Sequence, residues 1–260
     1  MAISITAATT GAPSRRAFPV RRPSDDNFFL LYVVLIWLAV LAGFVPDVIR
    51  HLRTNAAPYP ISVHLHAFVS VGWLALLTSQ TLLIRNRHVR LHRKLGIGGA
   101  VLAGAVVLLG FWAALSVQNL ALGTPRSRPP FLSVELSNII EFGGLAIAAV
   151  SARKLPSAHK RLILLATLSL TPAAFNRAIG RSLHMLLGDG IWQTCVQVFA
   201  ATDLMVLGIG LYDLCTRRRL HPAWIIGALW IVAGQLTASW LYYNPAWKVI
   251  ATAIIRMYRA

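Results

Sequence analysis

Apolar residues fill seven stretches of this chain, at about 28–50, 61–84, 95–117, 131–151, 159–179, 191–214 and 222–243, with short polar segments between them. Each is roughly 20 residues, the length a helix needs to cross about 30 Å of hydrocarbon. A helix on the surface of a soluble domain is apolar on one face only; these are apolar all round. The pattern predicts an all-α, polytopic membrane protein, a seven-transmembrane-helix bundle over residues 28–243. Residues 1–27, rich in Ala, Ser, Thr and Arg, read as a disordered cytosolic tail. With no apolar core before a small-residue cleavage site, they do not read as a cleaved signal peptide. Residues 244–260 read as a short amphipathic segment lying on the outer surface. The fourth stretch carries Glu135, Asn138 and Glu141, so it is the least regular of the seven.

Charge gives the bundle an orientation. Three apolar stretches are each preceded by a basic segment with a His: His92 between Arg90 and Lys94, His159 beside Lys160 and Arg161, and His221 after Arg217, Arg218 and Arg219. The segments expected on the side of the N-terminus hold 16 of the 25 Lys and Arg residues, and the other side holds nine. The positive-inside rule therefore puts the N-terminus in and the C-terminus out, as in a bacterial inner (plasma) membrane protein. The net charge of +17 does not point to nucleic acid. The basic residues flank apolar stretches instead of forming a continuous patch, an arrangement that suits anionic lipid headgroups. At 57% hydrophobic and 13% charged residues, with a mean hydropathy of +0.64, the composition agrees. Cys195 and Cys215 lie on one expected helix, roughly 30 Å apart at helical rise, too far for a disulfide.

Two local signals refine the picture. Gly96, Ala100 and Gly104 recur at a spacing that lets two helices approach closely. Pro172 interrupts the fifth stretch and frees the carbonyl of Leu168, which predicts a kink there.

Polar groups inside a bilayer need partners or a purpose. On the second helix, His66, Trp73 and Gln80 share one stripe and predict a cavity wall. Glu135, Arg177 and Gln197 extend a polar lining through the outer half. Glu141 and Asp203 lie deeper, near the midplane, where each must be protonated or paired. The eight together read either as a ligand cavity or proton relay, or as interhelical hydrogen bonding that holds the bundle. At the inner ends, His92 and His159 sit at equal depth on different helices, as haem axial ligands or as interfacial His beside lipid phosphate. No Walker loop, Gly-x-Ser-x-Gly or His-Glu-x-x-His motif is present, and the last helix has neither a Lys for a retinal Schiff base nor a His pair.

His64 and His66 with Trp73, Gln80, Arg85 and the stretch from His92 to Gly96 resemble a set of uncharacterised bacterial multi-pass membrane proteins. So do the stretch from His159 to Thr167 with Pro172, and Tyr212 and Asp213 followed by Arg219, His221 and Pro222. A more distant similarity is to transmembrane cytochromes of the b type, the ascorbate- or quinone-linked dihaem proteins. That likeness implies a redox protein binding haem b or a quinone, with His66, His92 and His159 as candidate ligands. Beside it stand a proton-coupled small-molecule transporter using Glu141 and Asp203, and a non-catalytic membrane assembly subunit.

Overall fold

The computed structural model describes residues 18, 22–54, 58–188 and 190–259. Among the described residues it is all-α: α1 (Pro23–Arg53), α2 (Ile61–Arg85), α3 (Val89–Ala121), α4 (Leu132–Ser151), α5 (Pro156–Leu168), α6 (Pro172–Leu187), α7 (Ile191–Arg217), α8 (Pro222–Tyr243) and α9 (Pro245–Arg259). Six of these are long and apolar enough to cross a membrane; α5 and α6, bent by 48° at their junction, make a seventh if the pair is one span. The outward surface is apolar, with Phe68, Ile97, Val101, Leu108, Ile147 and Leu204 each at least 70% exposed. A surface of that kind belongs against lipid. The protein is a multi-pass, membrane-embedded helical bundle.

Most boundaries follow the apolar pattern, and the exceptions have local causes. α1 starts at Pro23, not at 28. A proline suits the first helical turn, and the Arg22 backbone N–H donates to Asp25 Oδ2 at 3.0 Å. The rest of the expected tail, residues 1–17 and 19–21, lies outside the described residues. The kink expected at Pro172 is a full break. The Leu168 carbonyl that Pro172 leaves without its helical donor accepts from the N–H (2.9 Å) and the hydroxyl (2.7 Å) of Thr171. Thr171 in turn meets Thr202 of α7 at 2.9 Å. Beyond the break, α6 lies against α1, where Gly43 leaves no room for a Cβ beside the Ala174 backbone. α9 is amphipathic as expected. It buries Ala251 and Ile255, and its Tyr258 hydroxyl accepts from Trp112 Nε1 at 2.8 Å and meets Ser116 Oγ at 2.8 Å on α3.

One end of the bundle is closed by charge. Asp213 on α7 and Arg161 on α5 are both fully buried; they form a two-toothed ion pair, with Arg161 Nε donating to Asp213 Oδ2 at 2.7 Å. Arg217, one turn along α7, donates to both oxygens of Asp25 on α1, at 2.7 and 2.8 Å. Asp25 also receives Lys160 at 2.6 Å and the Tyr212 hydroxyl at 2.7 Å. The Phe18 ring lies 5.0 Å from the Arg161 guanidinium and 4.4 Å from the His221 ring. The start of α1, the start of α5, the end of α7 and the cap of α8 therefore meet at one end. The His92 and His159 rings face each other at the same end of α3 and α5, 6.3 Å apart. All these segments were placed on one side by the count of basic residues. At the opposite end Arg177 pairs with Asp47 at 3.2 Å, and Gln118 donates to Glu135 at 2.8 Å.

His221 caps α8 by accepting the Ala223 N–H at 3.0 Å. Burial, followed by the positive charge of Arg161, pushes its imidazole down to about 4. Its ordinary value is about 6.5. Between those values the unfolded chain binds a proton that the native chain refuses, so this contribution to stability is present above pH 6.5 and is lost as pH falls toward 4.

Three outcomes are expected. Reporter fusions should place the N-terminus and the loops at His92, His159 and His221 on the cytosolic side and the C-terminus on the other; a His92 loop on the far side refutes the orientation. Asp213→Ala should destabilise the protein by about 3–5 kcal/mol, because it strands a buried guanidinium. The double change Asp213→Leu with Arg161→Met should recover most of that loss in thermal melts. His221→Asn, which keeps a capping acceptor but does not titrate, should flatten the fall in Tm between pH 6.5 and 4.5 relative to the parent.

Candidate functional site

Glu141 sits at the middle of α4 and is 2% exposed. Its Oε1 accepts one hydrogen bond, from Ser137 Oγ at 2.8 Å, one turn earlier on the same helix. Its second oxygen has no hydrogen-bond partner among the described residues. The carboxyl lies directly on α8 at Gly234, where any Cβ would collide with it. The absence of a side chain at 234 is therefore what lets a carboxyl occupy the α4–α8 contact. One turn from Gly234, Trp230 covers Gly144 of α4 in the same manner, 3.0 Å from where a Cβ would stand.

Beside this contact is a cavity of about 390 Å³, bordered by Glu141, Ser137 and Ile140 of α4, by Trp230 and Thr237 of α8, and by Trp247 of α9. Ile140 and Trp230 are 52% and 45% exposed on the apolar exterior, so the cavity opens sideways toward lipid. Trp247 is fixed by donating from Nε1 to the Pro130 carbonyl at 3.1 Å. The amphipathic helix α9 thus supplies part of the wall.

Asp203 of α7 meets α8 at Gln235. It accepts from Gln235 Nε2 at 2.8 Å, and Gln235 follows Gly234 directly. Asp203 and Glu141 are within electrostatic reach of each other. A carboxyl from α4 and one from α7 thus meet α8 at adjacent residues, Gly234 and Gln235, and an amide holds one of them. Such an array suits the binding of a hydrogen-bonding or charged group at the midplane, or the passing of a proton.

The remaining expected residues are spread through the bundle. Trp73 is a core residue: its Nε1 donates to Thr167 at 3.1 Å and its ring packs edge-on against Phe142. His66 lies over Gly110 of α3, with a buried Nδ1 that has no partner. Gln80 is at the inner end, donating to the His92 carbonyl at 3.2 Å. Glu135 bonds Gln118, Gln197 bonds Asn176 at 3.4 Å, and Arg177 pairs with Asp47 and covers Phe44. The eight are thus not gathered around one cavity among those described; of these residues only Glu141 borders the α4–α8 cavity. Helical spacing places side chains on one stripe but does not say which neighbour the stripe faces.

His92 and His159 do come together, with ring planes at 84°. The His159 Nδ1 is 2.8 Å from the Ala149 carbonyl, and the His92 Nδ1 is buried without a partner. An axial pair needs a porphyrin-sized slot between the two rings. Neither the α4–α8 cavity nor the second one, at the turn around Arg87 to Leu91, is bordered by either ring. Arg90, Arg93 and Lys94 also crowd this end with positive charge. Nothing in this geometry supports a haem, and among the described residues no three His, Cys, Asp or Glu side chains gather as a metal site.

Sequence reasoning missed Asp25, Arg161, Asp213 and Arg217. Two signals were available: an Asp one turn before an Arg at the end of an apolar helix, and an Asp in the first turn of the first. Compared with family models, curated proteins and solved structures, the chain matches none.

Gly234→Ala should displace the Glu141 carboxyl while leaving the bundle folded. The expected result is a monodisperse protein with altered fluorescence of Trp230 and Trp247, read against Trp230→Phe and Trp247→Phe backgrounds. Spectra identical to the parent would show that the carboxyl does not rest on Gly234.

Proposed function

We propose that this is a proton-coupled small-molecule carrier of the bacterial inner membrane, with Glu141 as the coupling group and Asp203 as its partner. The observation that supports this most is the under-bonded Glu141 carboxyl on the wall of a cavity that opens to lipid. An ionised carboxylate with a single hydroxyl donor is very unfavourable in hydrocarbon. Its charge must be cancelled either by a proton or by something that enters the cavity. A group that alternates between those two states couples cargo to protons.

A quinone-linked reading has one observation in its favour. The cavity is mostly apolar with a few hydrogen-bonding groups, Glu141, Ser133, Ser137 and Thr237, and a quinone reaches such a site through the bilayer. It gains nothing from the second carboxyl, so the carrier reading accounts for more of the array.

The experiment is proton flux in proteoliposomes under an imposed pH gradient, followed by an internal pH dye, while a panel of neutral and charged lipophilic fluorophores is added outside. At least one should dissipate the gradient faster than empty liposomes do. Glu141→Gln should abolish the effect and Asp203→Asn should reduce it at least about ten-fold, a change of about 1.4 kcal/mol. Equal flux in the parent and Glu141→Gln would overturn the proposal.

A further inference from the structure

We infer that the α4–α8 cavity takes a monovalent lipophilic cation, an amphiphilic amine or a quaternary or phosphonium ion, whose positive charge replaces the proton of Glu141. This rests on the cavity reading above and names the charge of its ligand.

Three features of the site carry it. The first is sign. Among the described residues Glu141 is the only charged or titratable side chain on the cavity wall, and the neighbouring Asp203 is acidic too. α8 presents Gly234, Trp230 and Gln235 to this region, and α9 presents Trp247; none of these brings positive charge. The chain has 25 Lys and Arg residues against eight Asp and Glu, yet among the described residues the cavity is bordered by one carboxyl, that of Glu141, and by no cationic side chain. The contrast with the closed end of the bundle is direct. There Asp25 and Asp213 are met by Lys160, Arg161 and Arg217. The same protein pairs its buried acids fully in one place and leaves one under-paired beside a cavity in another.

The second is the lining. Apart from Glu141, Ser137, Ser133 and Thr237, the border is aliphatic or aromatic, and two indoles stand on it. Indole faces attract cations through their quadrupole, and the attraction grows where water is excluded. An aromatic and apolar wall around one carboxylate recognises a positive charge carried on a hydrophobic body.

The third is access. The mouth lies between Ile140, Trp230 and Thr237, on the lipid-facing surface. A lipophilic cation concentrates in the bilayer and reaches this opening sideways, whereas a small hydrated ion does not. On binding, the Glu141 carboxyl gives its proton to water and keeps the negative charge that pairs with the incoming cation. Charge is conserved at the site: one proton leaves as one cation arrives.

The test uses the full-length protein in nanodiscs and tetraphenylphosphonium, whose charge is permanent, so that any pH dependence comes from the protein. Binding is read by tryptophan fluorescence and by calorimetry from pH 5.5 to 8.5. The neutral triphenylphosphine oxide and a short-chain benzoquinone serve as comparisons. The expected result is that the phosphonium binds more tightly as pH rises, approaching ten-fold per pH unit where one proton is released. Glu141→Gln should weaken it at least about ten-fold and remove the pH dependence. Ile140→Trp, which narrows the mouth without touching the carboxyl, should weaken it as well. Glu135→Gln should bind as the parent does, and melting curves of all variants guard against misfolding. If either neutral compound binds as tightly as the phosphonium, with the same affinity in Glu141→Gln, the inferred charge is refuted and the cavity stands. If none of the three binds, or if Ile140→Trp leaves the binding of all three unchanged, the cavity reading itself is overturned.

Discussion

The ion pair between Arg161 and Asp213 sets the terms for the rest of the bundle. Neither side chain reaches solvent, and each is matched in geometry as well as in charge. Hydrocarbon offers a polar group no alternative partner, so every such group must be satisfied inside the protein. At the closed end that requirement joins α1, α5 and α7 through two acids and three bases, with α8 capped by His221 against the same cluster. Aliphatic packing alone gives little preference for one helix arrangement over another when lipid tails are equally apolar. A set of charges that cancel in only one arrangement supplies that preference.

The same rule makes Glu141 stand out. Its environment is as dry as that of Asp213, yet it has one hydroxyl donor where Asp213 has two guanidiniums. Gly234 and Gly144 shape the α4–α8 contact so that a carboxyl and an indole fit where side chains would otherwise meet. A residue that breaks the local rule while its surroundings are built to hold it is the signature of a working site. The remaining polar residues of the outer half are partnered and hold helix ends together: Glu135 accepts from Gln118, Gln197 donates to Asn176, and Arg177 pairs with Asp47.

The two His at the closed end show that placement along the chain leaves the role of a residue open. His92 and His159 were expected at equal depth and are in fact neighbours. Gln80 bonds the His92 backbone carbonyl and His159 engages the Ala149 carbonyl, which fits a junction between helices. The neighbouring basic residues suit lipid phosphate better than a metal centre.

What the chain determines unaided is the set of helices and the end at which each begins. Apolar length fixes α1 to α4, α7 and α8, because a run of about 20 apolar residues is stable only across a bilayer. Pro172 predicts an interruption at the α5–α6 junction from a missing N–H, and the alternation of basic segments predicts that the segments at His92, His159 and His221 share the end of the N-terminus. The partners of each polar group were decided by tertiary structure alone. Asp213 differs locally in lying one turn before Arg217 at a helix end, but nothing near Glu141 or Asp203 in sequence says which neighbour each will meet. Whether a buried acid meets an arginine or the wall of a cavity depends on how the helices rotate about their axes. That rotation is set by contacts between residues far apart in the chain, such as Gly43 on Ala174 and Gly234 on Glu141, which periodicity along a single helix does not encode.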